Sequence, residues 1–363
     1  MRLTHFETLQ PVCPRCLYDR QISSPLKLAQ IVSQENNFIL EGLLHCSDTD
    51  CRMEYPIIDG IPIIVRNIRQ YISDNLFHIS LRDNLSDTIQ SVLGDCAGPS
   101  TVFDATRQHL SSYGWDHYGD LISDNAFLSQ SDAKPGSIVN CLQKAMALLP
   151  EEPENNMIDL GCSVGRTSFE LAQKTQGLVL GVDMNFSMLR LAQQALQKGE
   201  VKFPLRRIGI VYDEIKLNIN FKNCEHLDFW VCDALALPFN DASFQLATGF
   251  NLLDSVNSPH DLLLSIERIL QTQGYMLLST PYDWSPLATP LETWIGGHSQ
   301  RGPDHGAAEP LLKALLTSGE HAQSLTHLKL IAEVADHPWW VRVHDRSSTL
   351  YKTHIIAAEK TSA

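Results

Sequence analysis

From residue 156 to 280 the chain alternates short apolar runs with stretches of helical spacing. "NMIDL" (156–160) and "GLVLGVD" (177–183) read as strands, with "RTSFELAQK" between them as a helix. "SMLRLAQQALQK" is a second helix. "LDFWVCD", "FQLATGF" and "GYMLLST" are further strands, and "HDLLLSIERIL" is a helix before the last of them. Fully apolar strands between amphipathic helices predict a parallel sheet with helices on both faces. "LKLIAEVA" and "YKTHIIAAE" near the C-terminus predict strands that close this α/β sheet as a hairpin.

Before residue 136 the pattern changes. Residues 1–66 read as a small β-rich unit, ending in "YPIIDGIPIIV" with a turn at Asp59-Gly60. Residues 67–135 hold no sustained period and are expected to form a connecting or lid segment. Its aromatic stretch "YGWDHYGDL" (Tyr113, Trp115, His117, Tyr118) is a candidate cover for a ligand. Pro135-Gly136 punctuates, and "SIVNCLQKAMALL" resumes helical spacing at the start of the unit 136–363.

Length and charge narrow the picture. A chain of 363 residues predicts two domains. Its 42 acidic against 28 basic residues, net −14, count against a nucleic-acid partner, whose phosphates bind Lys and Arg. No apolar run approaches the ~18–20 residues that span a membrane, and the start lacks an apolar signal core. A cytoplasmic protein with no membrane partner is expected. Its nine cysteines then read as metal ligands and buried thiols.

Four of those cysteines are spaced as ligands. Cys13 and Cys16 form C-x2-C, and Cys46 and Cys51 form C-x4-C. Such pairs suit tetrahedral thiolate binding of zinc, although the 29 residues between them exceed the usual ribbon spacing. "CPRC…HCSDTDC…YPIIDGIPIIV" resembles the small Trm112-like zinc domain, found alone as a methyltransferase activator and also fused to methyltransferases. The resemblance implies a structural Zn2+ and a zinc-ribbon-like fold. His45 is an alternative ligand, but four cysteines need no fifth. Cys96, Cys141, Cys162, Cys224 and Cys232 are expected to be buried.

The sharpest signal is Asp159-x-Gly161-x-Ser163-x-Gly165. A turn from buried strand to helix aims free N–H groups and the helix dipole at one spot, which favours an anionic group. The dinucleotide pattern needs glycines where this chain has Ser163 and Arg166. The run instead resembles the first motif of class I S-adenosylmethionine (SAM) methyltransferases. The resemblance implies a seven-stranded Rossmann-like sheet whose turn packs on the methionine part of the cofactor, with Asp159 near its amino group. Asp183, followed by Met184, ends the second strand, where an acid accepts from ribose hydroxyls. NAD enzymes use the same device, so Asp183 alone does not discriminate. Asp233-Ala234 follows the third strand, at the adenine position of the family.

Beyond the fourth and fifth strands, "GFNLLDSV", "PYDW" and "TWIGG" resemble the methyltransferase domain of the ovothiol-synthesis enzyme, which methylates a ring nitrogen of mercaptohistidine. An insertion at about 199–227 matches as well. The iron-dependent sulfoxide-synthase portion of that enzyme has no counterpart here. The resemblance implies catalytic roles for Asn251, Asp254 and Tyr282, with Asn251 also near the cofactor, and an aromatic wall of Tyr282, Trp284 and Trp294. The chemistry is compatible. Methyl transfer needs a lone pair about 3–3.5 Å from the methyl carbon. Neutral imidazole has one, with a pKa of about 6.5, and an acceptor on its ring N–H fixes the tautomer. His298, His305, His337 and His344 are further candidates to meet the substrate. The expected function is SAM-dependent N-methylation of an imidazole-bearing small molecule or peptide, of histidine or thiol-histidine type. The alternatives are an rRNA or tRNA base methyltransferase with a zinc module, and a non-catalytic SAM-binding scaffold.

Overall fold

The computed structural model describes residues 1–124, 128 and 131–362. At the front, β1 (Leu26–Glu35), β2 (Phe38–Cys46), β3 (Glu54–Ile58) and β4 (Ile61–Pro62) pair antiparallel in that order. The turn at Asp59-Gly60 joins the last two.

The connecting segment is helical over much of its described length. Helices Ile68–Ser80, Asp87–Ala97 and Val102–Tyr118 are each capped by a side chain, from Asn67, Ser86 and Thr101. Such a cap is worth about 1 kcal/mol. In the last of these helices, many of the buried positions are polar (Asp104, Thr106, Arg107, Ser111, Asp116 and His117), which hid its period.

The main sheet follows from the alternation in the sequence. Its strands are β5 (Met157–Leu160), β6 (Val179–Asp183), β9 (Leu227–Val231), β10 (Phe244–Phe250), β11 (Leu270–Thr280), β12 (Leu328–His344) and β13 (Ser347–Lys360). The seven lie in the order β12-β13-β11-β10-β5-β6-β9. The β5, β6, β9, β10 and β11 neighbours are parallel, while β13 runs antiparallel to β11 and β12. β5 and β9 are buried along their whole length, as strands covered on both faces must be. The insertion forms a separate hairpin, β7 (Glu200–Ile208) with β8 (Val211–Asn218).

Chain order places the site. From β5 the chain steps outward through β6 to β9, then returns across to β10 on the other side of β5. Right-handed crossovers put the helices of the two halves on opposite faces. A crevice is left at the carboxyl ends of β5 and β10, the topological switch point.

The return from β9 to β10 contains no helix. The N-terminal unit packs there instead. The Val12 N–H donates to Pro238 O at 2.9 Å and the Tyr18 hydroxyl to Leu237 O at 3.0 Å. Past β4, the Ile64 N–H donates to Val231 O at 2.9 Å, so the chain adds to the β9 edge. Cys96 lies exposed and Cys224 half-buried rather than buried, while Cys141, Cys162 and Cys232 are buried as expected. Among the described residues no helix is long and apolar enough to cross a membrane.

Candidate active site

The glycine turn leaves β5 and enters helix Arg166–Ala172. Gly161 (φ +66°) and Gly165 (φ +91°) hold the left-handed backbone that glycine adopts without strain. A side chain at Gly165 would also strike Phe229 and Ala192, so this glycine sets how closely the helix meets the sheet. It does not line the cavity described below.

The turn differs from the anion cradle expected of it. The Ser163 N–H donates to Asp183 Oδ2 at 2.9 Å, and the Arg166 N–H to His117 Nδ1 at 3.2 Å. Both groups are already occupied. Arg166 itself forks onto Asp120 at 2.7 and 2.9 Å and reaches Glu170 at 2.8 Å. An arginine stands at a dinucleotide glycine position because it locks this helix to helix Val102–Tyr118.

A cavity of about 730 Å³ opens at the switch point. Asp159, Gly161, Ser163, Asp183, Met184, Asp233, Ala234, Asn251 and Asp254 all line it. Asp159 is held by three hydroxyls: Thr167, Ser168 at 2.7 Å and Thr248 at 2.9 Å. Asp183 accepts the N–H groups of Ser163 and, at 2.8 Å, of Asn185, which fixes its plane and leaves lone pairs for a ligand's hydroxyls. Asp233 accepts the Leu235 N–H at 2.9 Å. Burial raises the pKa of all three carboxyls, opposed by these hydrogen bonds.

On the far side, Asn251 Oδ1 accepts the Ser279 hydroxyl at 3.0 Å, and Asp254 accepts the Asp283 N–H at 2.8 Å. Asp254 is buried, which raises its pKa as well. Tyr282 is not among the lining residues. Its backbone is left-handed (φ +56°) and its hydroxyl meets His354 Nδ1 at 2.7 Å, backed by Glu333 at 3.0 Å on Nε2. Trp284 and Trp294 stack on each other at 5.9 Å, also off the cavity. His298, His305, His337 and His344 do not line it either.

The aromatic wall comes from elsewhere. β13 pairs with β11 only over His354–Glu359. Beyond that, His337–His344 and Ser347–Thr353 project as a two-stranded ribbon. Trp339, Val341 and Tyr351 on this ribbon line the cavity, with Tyr113 of helix Val102–Tyr118 opposite. The Tyr351 hydroxyl donates to Asp283 Oδ2 at 2.8 Å. The same helix contributes Asp116 and His117. Asp116 caps helix Ser137–Met146 by accepting the Ser137 N–H at 2.7 Å, and burial pushes its pKa up to about 7. Burial and the Arg166 charge depress His117 to about 3, so it is a neutral imidazole whose Nδ1 accepts.

The donor set suits SAM. Six aspartates (116, 159, 183, 233, 254 and 283) line the cavity, and no Lys or Arg does among the described residues. A ligand with two cationic centres and ribose hydroxyls matches that lining, and the volume lies in the range of nucleotide-sized sites. The family model described as "methyltransferase domain" matches residues 158–278, from β5 into β11. This stretch is a class I SAM-dependent methyltransferase domain. No curated protein matches the chain. Among solved structures, a SAM-dependent methyltransferase from Methanosarcina mazei is 22% identical, over 59% of this chain and 95% of that one, with a TM-score of 0.38. The YcgJ protein of Bacillus subtilis is 16% identical, over 62% and 100%, with a TM-score of 0.39.

Outside the methyltransferase domain, the four front cysteines converge. The sulfurs of Cys13, Cys16, Cys46 and Cys51 lie within 4.8 Å of one another. Cys13 and Cys51 are 3.8 Å apart and Cys16 and Cys46 3.7 Å. A tetrahedron of ~2.3 Å zinc–sulfur bonds has edges of about 3.8 Å, whereas a disulfide needs ~2.05 Å. The sulfur set fits zinc with no coordination position left open. His45 is not in the cluster.

Proposed function

We propose that the protein transfers the SAM methyl group to a nitrogen of a small basic acceptor, an imidazole of histidine or thiol-histidine type, free or in a peptide. The observation that carries this reading is the cavity lined by six aspartates without a Lys or Arg among the described residues. Such a lining attracts cations and repels phosphates. Asp183 and Asp233 orient the cofactor through its ribose and adenine. When bound, SAM supplies an electrophilic methyl carbon. On the acceptor side, Asp254 accepts the ring N–H and thereby aims the other ring nitrogen at the methyl group. Asn251, its amide held through Ser279, shapes the boundary between the two ligands. Asp254, bonded to the ring N–H, receives that proton once methylation has made the ring an imidazolium. Tyr113, Trp339 and Tyr351 exclude water.

The four cysteines would hold a structural zinc that ties together a front unit of about residues 1–66, resembling the Trm112-like domain. Too small for a large core, such a unit gains much of its stability from a metal. The transferase unit would be 136–363, with 67–135 providing its inner wall.

The test is label transfer from isotopic SAM to histidine, thiol-histidine, histidine peptides and total RNA, with mass spectrometry locating the methyl group. Label on a ring nitrogen is expected. Label in RNA alone would discard the acceptor class, and bound SAM without transfer to any substrate would leave a scaffold.

A further inference from the structure

A second space lies between helix Val102–Tyr118, helix Phe186–Lys198 and the β7–β8 hairpin. Its volume is about 110 Å³, of the order of cavities that hold one benzene-sized molecule. Leu81, Leu85, Phe103, Leu191 and Phe203 form the apolar part of its wall, and Arg107 and Asp87 are among the charged residues that complete it.

Arg107 is only 5% exposed. Its Nε has no hydrogen-bond partner, and it forms no ion pair among the described residues. Its guanidinium carbon lies 4.1 Å from the Tyr212 ring centroid and 5.6 Å from that of Phe103. Asp87, which also lines the space, and Asp104 attract the Arg107 charge from beyond ion-pair distance. The other neighbouring charges have partners of their own. Arg190 is bound to Asp59 at 2.9 Å and Lys202 to Glu214 at 2.7 Å. Asp104 accepts from Tyr212 at 3.0 Å and Gln108 at 2.8 Å. A buried cation with no carboxylate in contact is costly, and proteins carry one where something else completes it.

We infer that this space binds a small carboxylate with an apolar body, its carboxylate received by the Arg107 fork. The planar guanidinium matches a carboxylate in bidentate geometry. The apolar walls suit an aliphatic or aromatic remainder and not a strongly hydrated phosphate. Arg107 shares its helix with Tyr113, Asp116 and His117, so an occupant would bear on an element that walls the transfer cavity.

The test uses the full chain, loaded with zinc and SAM. Hexanoate and benzoate are titrated by calorimetry, with hexanamide and inorganic phosphate beside them. The two carboxylates are expected to bind at millimolar concentration or below, and the controls not to bind. Arg107→Met should weaken carboxylate binding at least tenfold while SAM affinity stays unchanged. Should that variant fail to fold, Arg107→Lys, which keeps the charge and loses the fork, should weaken it several-fold. Three results would overturn the inference: no carboxylate binding, binding indifferent to Arg107, or phosphate bound in place of the carboxylates. Equal losses of thermal stability in Arg107→Met and Asp87→Asn would also overturn it, since Arg107 would then serve as the partner of Asp87 in the fold.

Discussion

Single carboxylates carry the assignments, and each makes a separable prediction. Asp183 grips the turn through Ser163 and the next helix through Asn185. Asp183→Ala should lower SAM affinity at least tenfold by calorimetry, because charged hydrogen bonds are worth about 1.5–3 kcal/mol and two N–H groups lose their partner. Asp254→Asn should leave SAM affinity intact and reduce kcat by an order of magnitude. Unchanged turnover would remove Asp254 from the acceptor site. Asp116 governs a pH effect. Its folded pKa of about 7 stands above the ordinary carboxyl value of 3.8 in the unfolded chain, so folding retains a proton that the unfolded chain releases. Its stabilising contribution is full below about pH 4 and is lost as pH rises to about 7, at up to ~1.4 kcal/mol per pH unit. Urea titrations should show this slope, and Asp116→Asn should flatten it while its amide oxygen still caps the helix. Asp159, Asp183 and Asp233 were legible because each ends or follows a recognisable strand. Asp116 was not, because its importance comes from burial and from a helix start 21 residues away.

At the scale of elements, the least legible part is the ribbon. The pattern "LKLIAEVA" predicts a strand ending at Ala335, yet β12 continues to His344 through Asp336 (φ +54°) and Pro338. An edge strand tolerates a proline, since its N–H side needs no partner. The projecting half pairs only with β13 and packs on helix Val102–Tyr118 rather than on the sheet, with Arg342 buried beside Trp339, so its apolar positions do not mark a single core face. Trp339 and Tyr351 then face the cavity, in the place expected for Tyr282, Trp284 and Trp294. Trp339→Ala should raise the acceptor KM several-fold with SAM affinity unchanged. A change in SAM affinity instead would assign the ribbon to the cofactor side.

At the scale of the molecule, the cysteine unit and the transferase sheet are one construction. Ile64 extends the β9 edge at Val231, two residues before Asp233. The Arg2 N–H reaches Asp228 Oδ2 at 2.8 Å, and its side chain reaches Leu227 O at 2.9 Å. Loosening the cysteine cluster should therefore be felt at the Asp233 end of the cavity. Chelation of zinc, or Cys46→Ser, is expected to lower Tm and weaken SAM binding several-fold. Loss of Tm with full SAM affinity would mean that the front unit folds without steering Asp233.

The alternation of apolar strands and amphipathic helices determined the sheet by itself, because a strand buried on both faces admits few arrangements. Cysteine spacing likewise determined the sulfur cluster, and the motif Asp159 to Gly165 determined the strand-to-helix turn at the cavity, since short-range spacing survives folding unchanged. Tertiary structure alone decided the rest of the cavity wall. Tyr282 turned away to His354, the turn's N–H groups were taken by His117 and Asp183, and a ribbon and a helix from opposite ends of the chain closed the cavity. Those outcomes depend on long-range packing, which leaves no period in the local pattern.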